Sequence, residues 1–589
     1  MLIIGIKLTH DGAIALIEDG RLIFSYEMEK LNNFHRHSPF CITITELGSI
    51  LARYGYSLDT IDRIVIDGWS SWDADKIHQP EQEEIEVVKF EFGNSEVRIT
   101  TRELAGYGHL VKSTDNILVP RNFEFSQQGF SYTSFQHVAG HVAAAYCTSP
   151  FSARNENSYI LVWDGGMPPQ LFYYRFERNS IENLGLLFPL IGYLYINFAH
   201  AFKPFSLMPL EMSIAGKAMA YMALGSVNAR ILQGYRSIFS DLKSTADDVE
   251  MSIDIIAVIT RQFIIEAREL FVTGNFAEED MLTTFQEFVQ ELLIDALGDE
   301  LVKYPGFVNN LCISGGCGLN IKWNSGIRNS RLFKEVWVPP FPNDSGSAIG
   351  TACCQMLLSG RRSLEWNVYS GPPVRTFDGQ LLHVSVESDG YSVFHCELED
   401  LAYILHTYNE PVVFFNDRAE LGPRALGNRS ILAQATSPNM KKRLNAMKGR
   451  EGYRPVAPLC LEERAAEIFS PGSPDPYMLF EHFVNDTWKD RVPAICHLDG
   501  SARLQTVNSK GNAVIYRLLT EYYKRSQIPL LCNTSANLNG SGFFPDIQSA
   551  LDWNKANLVW YNNILFVRTK FMHLKIGGEL QNRLVSSVL

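Results

Sequence analysis

The chain has little positive charge to spare, no paired cysteines and no long apolar run. Its 589 residues carry 52 Lys and Arg against 65 Asp and Glu, a formal net charge of −13. That balance lacks the basic footprint of a nucleic-acid binder and is compatible with small or cationic partners. Ten cysteines are scattered without a CxxC pair, and the neighbours Cys353 and Cys354 are poorly placed for a framework disulfide. This usage predicts a reducing, cytoplasmic setting. The opening Met-Leu-Ile-Ile-Gly-Ile lacks the basic region and cleavage site of a signal peptide. No window approaches twenty uninterrupted apolar residues, so no membrane span is expected. Low-complexity tracts are absent as well.

What is present is a long chain that is 46% hydrophobic, enough for two to four domains with sizeable cores. Apolar, β-prone residues 2–6 lead into a polar turn at 7–12. A strand pair with Asp19-Gly20 at its tip follows. Further strands are predicted at 62–67, 159–163, 310–313 and 335–338, and helices at 136–146, across 226–300 and up to about 358. The stretch Ser359–Pro373 reads as an inter-domain linker. Beyond it, helix 402–408, strand 411–415, helix 513–526 and strand 529–532 alternate. Both parts therefore read as α/β, with residues 1–360 and 361–589 as the two domains.

The densest chemistry lies in Arg418-Ala-Glu420-Leu-Gly-Pro-Arg424-Ala-Leu-Gly-Asn-Arg429-Ser430, followed by Lys448-Gly-Arg450-Glu451-Gly-Tyr-Arg454. Arginine presents a planar fork that matches phosphate or carboxylate oxygens, and glycine lets backbone approach an anion. These blocks predict a pocket for a small phosphorylated or carboxylated substrate and a nucleotide. Asn533-Thr-Ser535-Ala-Asn537, small polar groups after an apolar strand, would form a pocket wall.

In the first part, His137 and His141 fall one turn apart on a predicted helix and can share a metal. A third ligand is needed, and Asp164 and Asp344, each preceding small residues at a strand end, are both candidates. Imidazole with carboxylate suits iron, zinc or manganese. His10-Asp11-Gly12 follows the first strand. Lys217 after Gly216, and Ser314-Gly315-Gly316 after a strand, are possible phosphate contacts.

In order, these motifs resemble the NodU/CmcH-type O-carbamoyltransferases, with the opening Lys-Leu-Thr-His-Asp-Gly-Ala most similar to the aminoglycoside branch, tobramycin carbamoyltransferase included. The resemblance implies an actin-like (ASKHA) N-terminal domain with a helical insertion and a YrdC-like C-terminal domain. It also implies carbamoyl phosphate and ATP as substrates, with Mg²⁺ on the ATP phosphates. Arg418, Arg424, Lys448, Arg450, Asn533 and Ser535 would hold them while carbamoyl-adenylate forms. Lys217, Gly315 and Gly316 would bind the adenylate, and Fe²⁺ would sit on His137, His141 and Asp344. His10 would deprotonate an acceptor hydroxyl, oriented with Asp11 or Asp164, on a natural product such as an aminoglycoside. A sugar-kinase-like phosphotransferase is the alternative; it leaves the arginine blocks without work. The sequence departs from the family pattern at Asp417, where glycine is common before the arginine.

Overall fold

The computed structural model describes residues 1–33, 35–68, 86–92, 95–100, 104, 116–125, 130–246, 251–375, 390–538 and 540–575. The fold is mixed α/β and divides into two compact units. One comprises residues 1–28 and 37–367. The other comprises 368–589 together with 29–36.

The first unit holds two sheets built to one plan. In the first, Arg21–Glu27, Ala13–Glu18 and Leu2–Lys7 form an antiparallel meander. Arg63–Asp67 and then Phe130–Phe135 add to it in parallel. In the second, Ser180–Leu186, Gln170–Arg175 and Ser158–Val162 form the meander, and Asn310–Ser314 and Glu335–Trp337 add in parallel. The central strands are buried along their length, as their continuous apolar runs require. Between the two last parallel additions of the second sheet and its meander, the chain inserts the helices Ala229–Ala246, Ile253–Gly274 and Glu278–Lys303. Their shared core is aromatic: Phe198 stacks on Phe285 at 3.8 Å and Phe263 on Phe288 at 5.5 Å.

Helices His137–Cys147 and Ser347–Leu358 are almost wholly buried and pack against each other. Small residues make that approach possible. A Cβ on Gly350 would lie 2.1 Å from the Gly140 carbonyl oxygen, and one on Gly5 would lie 2.1 Å from that of Ala348.

The second unit is organised on an eight-stranded sheet in the order Tyr391–His395, Ile564–Arg568, Leu558–Tyr561, Val412–Phe415, Arg429–Ala433, Leu530–Ser535, Ala457–Leu461, Gln505–Val507. Most neighbours run antiparallel. Helices Leu398–Tyr408 and Ala513–Ser526 pack together over it. The strand Leu530–Ser535 runs on through Asn533, Thr534 and Ser535, beyond the strand 529–532 expected from the sequence. Pairing with Arg429–Ala433 keeps these polar residues in the ladder. The predicted linker is pinned rather than loose: Gly371 N donates to the Ala419 carbonyl at 2.9 Å, and Pro373 bridges to Arg418.

Candidate functional site

In the first unit, strand ends converge. Strand Leu2–Lys7 lies parallel to Arg63–Asp67 with Ile6 opposite Ile66, so Lys7 and Asp67 leave the sheet side by side. Strand Ser158–Val162 ends just before Asp164, and its parallel neighbour Asn310–Ser314 ends before Gly315. Ligands of parallel α/β sheets gather beyond such carboxyl ends.

Onto these ends the buried helix brings His137 and His141, and the turn before Ser347–Leu358 brings Asp344. Their Nε2 atoms stand 3.1 Å apart, and Asp344 Oδ1 lies 3.3 Å from each. That oxygen is buried and accepts no hydrogen bond. The outer nitrogens are both engaged: His137 Nδ1 with Asp67 Oδ2 at 2.7 Å, His141 Nδ1 with Ser314 Oγ at 3.3 Å. A carboxylate only accepts, so His137 Nδ1 keeps a proton for Asp67, and Nε2 is the nitrogen that would offer a lone pair inward once its own proton is displaced by a metal. Asp164 completes the group, and one ligand atom from each of the four falls within 4.8 Å of the others. Converging lone pairs around an unsatisfied buried carboxylate oxygen fit a divalent metal such as Fe²⁺. Two imidazoles with hard oxygens suit iron, zinc and manganese alike.

Lys7 was missed in the sequence. Its Nζ lies 3.1 Å from Asp67 Oδ2 and 3.0 Å from Asp344 Oδ2, and all three side chains are buried. Burial opposes its charge, but the two carboxylates outweigh that and hold it protonated. Asp67 and Asp344 do the same to His137, pushing it up to about 9 against the pull of burial. The lysine and Asp67 carry no local motif, which is why spacing did not find them.

His10 Nδ1 meets Asp11 Oδ2 at 3.0 Å and approaches Asp344 Oδ2 at 3.7 Å. Asp11 also receives His37 Nδ1, 3.0 Å from both its oxygens. Desolvation disfavours charge on His10, yet Asp11 and Asp344 raise it overall. The two imidazoles keep Asp11 ionised below the usual carboxylate range although burial opposes this. Gly315 adopts φ +85°, where a side chain would be strained and would also strike the Trp163 carbonyl at 2.3 Å. The next residue, Gly316, donates its N–H to Asp164 Oδ1 at 2.6 Å. Lys217 stands on helix Ser213–Tyr221 and pairs with Glu211 at 3.1 Å.

The second unit gathers cations. Burial is the first cause that lowers Arg424, Lys448, Arg450, Arg454 and Arg503, and mutual repulsion adds to it. Arg450 falls to about 9 and Arg503 to about 10. Arg36 acts on all five, a residue that sequence reading did not single out. Asp475 and Glu451 are the opposing charges, and Asp475 is also tied to the N–H groups of Leu479 and Phe480 at 3.0 and 2.9 Å. Lys448 Nζ donates to the Ser535 carbonyl at 2.5 Å, to Ser535 Oγ at 3.1 Å and to the Asn537 side chain. Arg450 Nε donates to Asn445 at 2.6 Å. Asn533 donates to the Ala425 carbonyl at 3.0 Å and to Gln505 at 2.9 Å, bracing the Arg424 loop.

The other charged residues of the long motif hold the loop. Arg418 donates to the carbonyls of Gly371 and Ser370 at 2.9 and 2.5 Å. Arg429 is buried and donates to the carbonyls of Asn416, Asn428 and Asp417. Glu420 accepts the Leu426 N–H at 2.5 Å. Asp417 sits at φ +28°, which explains why glycine suits that position.

Residues 2–353 match the family described as "Carbamoyltransferase N-terminus", and residues 405–567 that described as "Carbamoyltransferase C-terminus". The chain belongs to the carbamoyltransferase family. It is 44% identical over 606 aligned positions to nodulation protein U of Rhizobium tropici, covering 100% of both chains. It is 29% identical over 585 positions to 3'-hydroxymethylcephem-O-carbamoyltransferase of Streptomyces clavuligerus, covering 96% of this chain and 99% of that one. Among solved structures, the activator of the 2-hydroxyisocaproyl-CoA dehydratase from Clostridium difficile with bound ADPNP aligns over 61% of this chain and 97% of its own. Its TM-score is 0.29 at 13% identity, a likeness that carries no argument about function. Among the described residues no helix is long and apolar enough to cross a membrane.

Proposed function

We propose that the protein is an ATP-dependent O-carbamoyltransferase working in two half-reactions, on an actin-like first unit and a YrdC-like second unit. In the first half-reaction, water releases phosphate from carbamoyl phosphate and leaves carbamate. A carbamate oxygen then attacks the α-phosphorus of Mg²⁺-ATP, and pyrophosphate departs with carbamoyl-adenylate as the product. In the second, an acceptor hydroxyl attacks the carbamoyl carbon, its proton passes to a base, and AMP leaves.

The observation that carries this reading is the cation group around Arg424, with Lys448 buried and the arginines half-buried. Cations that repel one another in a desolvated pocket are stabilised by a polyanion, and donors fixed in advance favour the charge that develops at phosphorus. Arg424, Lys448, Arg450, Arg454 and Arg503 would hold carbamoyl phosphate and the triphosphate, with Ser535 and Asn533 shaping the wall. Arg418 would act by fixing the loop.

For transfer, His137, His141 and Asp344, with Asp164 in reach, would hold Fe²⁺ or a like metal, which supplies Lewis-acid polarisation of a carbonyl. His10 would take the acceptor proton. Its Nδ1–H donates to the acceptor-only Asp11, which leaves Nε2 as the basic nitrogen. Gly315 and Gly316 would let the adenylate approach the backbone closely, their own N–H groups being engaged by the Pro342 carbonyl and Asp164 Oδ1, and Lys217 would approach it only by leaving Glu211. The acceptor we favour is a natural-product hydroxyl, an aminoglycoside in the first instance. The acidic balance of the chain supports a cationic sugar, and the cephem substrate in the Streptomyces relative's name is the comparison to run beside it.

The test is ATP–pyrophosphate exchange without acceptor. Exchange that requires carbamoyl phosphate and is lost in Arg424→Ala is the expected result. ADP formed only on adding sugars, with no exchange, would replace this reading by a sugar-kinase-like one.

A further inference from the structure

Residues 29–36 are part of the second unit. Lys30 anchors them, its Nζ donating to the carbonyls of Glu420 and Gly422 at 2.5 and 2.6 Å, in the turn just before Arg424. At the far end His35 bridges to Ser541. The Ser541 carbonyl accepts from Asn537 Nδ2 at 2.7 Å, and the Asn537 carbonyl accepts from Lys448 Nζ at 3.1 Å. A short run of hydrogen bonds therefore sets the residue after His35 in a fixed place relative to Lys448.

That residue is Arg36. Its guanidinium lies 5.9 Å from the Phe543 ring centre. Its Nε is buried without a hydrogen-bond partner, and the Glu29 carboxylate is 3.9 Å away, beyond hydrogen-bond reach. A buried guanidinium donor left unused costs free energy. Placing the same charge among five other cations costs more, and the segment does not need it as an anchor, because Lys30 and the His35 bridge already serve. An anion shared among these cations would use the free donor and relieve the repulsion. The side chain is one-third exposed, so a ligand can reach it.

We propose that Arg36 is a sixth anion-binding residue of the second unit, donating to a phosphate oxygen of the bound substrate. The phosphate's identity rests on the carbamoyl-adenylate reading above; the anion site itself does not.

The experiment uses the full chain and inorganic pyrophosphate as probe, with calorimetry for binding and carbamoyl-phosphate-dependent exchange for turnover. Arg36→Ala is expected to weaken pyrophosphate about tenfold or more, as for a lost charge-assisted hydrogen bond. It should also raise the KM for carbamoyl phosphate. Arg36→Lys should restore part of both, and Arg178→Ala, an exposed charge elsewhere, should change neither. Arg36→Gln, similar in reach but neutral, serves should the alanine variant not fold. Neutral variants that bind pyrophosphate within twofold of wild type overturn the proposal, as does a wild-type chain that binds no pyrophosphate. A wild type that binds pyrophosphate through Arg36 but shows no exchange leaves the anion site standing and removes the carbamoyl-adenylate reading.

Discussion

Asp67 Oδ2 stands 2.7 Å from His137 Nδ1, and this contact decides which face of the imidazole the buried cluster sees. Asp67→Asn keeps the shape but presents an amide that can donate. The His137 tautomer then loses its support. Metal affinity, read by competition with a chelator and by metal content, should fall about 10- to 100-fold, while the fold is retained. Unchanged metal content would show that Asp67 only fills space.

The cation pocket makes a pH prediction. Arg450 is lowered to about 9 and Arg503 to about 10 when the pocket holds no anion. Between those values and the ordinary arginine range, the unfolded chain binds more protons than the folded one. The penalty is complete below pH 9 and is relieved as pH rises above it, so the pocket's contribution to stability improves with pH. Pyrophosphate keeps the arginines charged and should remove that trend. Chemical denaturation at pH 8.5 and 10, with and without pyrophosphate, reads the difference. A ligand-induced gain in stability that grows from pH 8.5 to 10 would contradict it.

His10→Ala should separate the two half-reactions. Exchange should continue near the wild-type rate, and carbamoyl transfer to the acceptor should drop about 10²- to 10⁴-fold, the usual range for a general base. Rapid quench of enzyme pre-loaded with carbamoyl phosphate and ATP measures the transfer step. Wild-type transfer by this variant would remove His10 from the chemistry.

Gly350→Ala tests the helix contact behind the cluster. The new Cβ would meet the Gly140 carbonyl oxygen at 2.1 Å, and backbone must move. A loss of about 1–3 kcal/mol is expected, as for overpacking, with weaker metal retention because His137 and Asp344 sit at the ends of the two helices. A stable variant with full metal content would mean that the helices slide without cost.

At Asp417 the backbone has φ +28°, a value that favours glycine. Asp417→Gly should raise the melting temperature by a few degrees, corresponding to about 1 kcal/mol of relieved strain. No change would place the relief in the hydrogen bond from Arg429 to the Asp417 carbonyl, 3.0 Å long.

Much of the site could be read from local spacing. His137 and His141 announce themselves by one helical turn, and Asp344 by its small neighbours before a buried helix. Arg424, Lys448 and Arg450 stand within two compact blocks. What spacing cannot show is which members of a block face a ligand. Arg418, Glu420 and Arg429 stand in the same block as Arg424, and they satisfy backbone carbonyls and amides. Nor can it show partners that meet only through parallel register. Lys7 and Asp67 end ordinary apolar strands 60 residues apart, and only the pairing of those strands makes them a couple. The predicted strand stops at 532 because Asn533 to Ser535 are polar, whereas ladder pairing carries it on to Ser535.

The eight residues 29–36 have a consequence for how this chain could have arisen. Lys30 reaches across 390 positions of sequence to steady the turn that begins the arginine block. A gene cut at the connector near residue 367 would hand its recipient a sheet without that brace. The second half, moved alone, would therefore arrive with a line of its text missing.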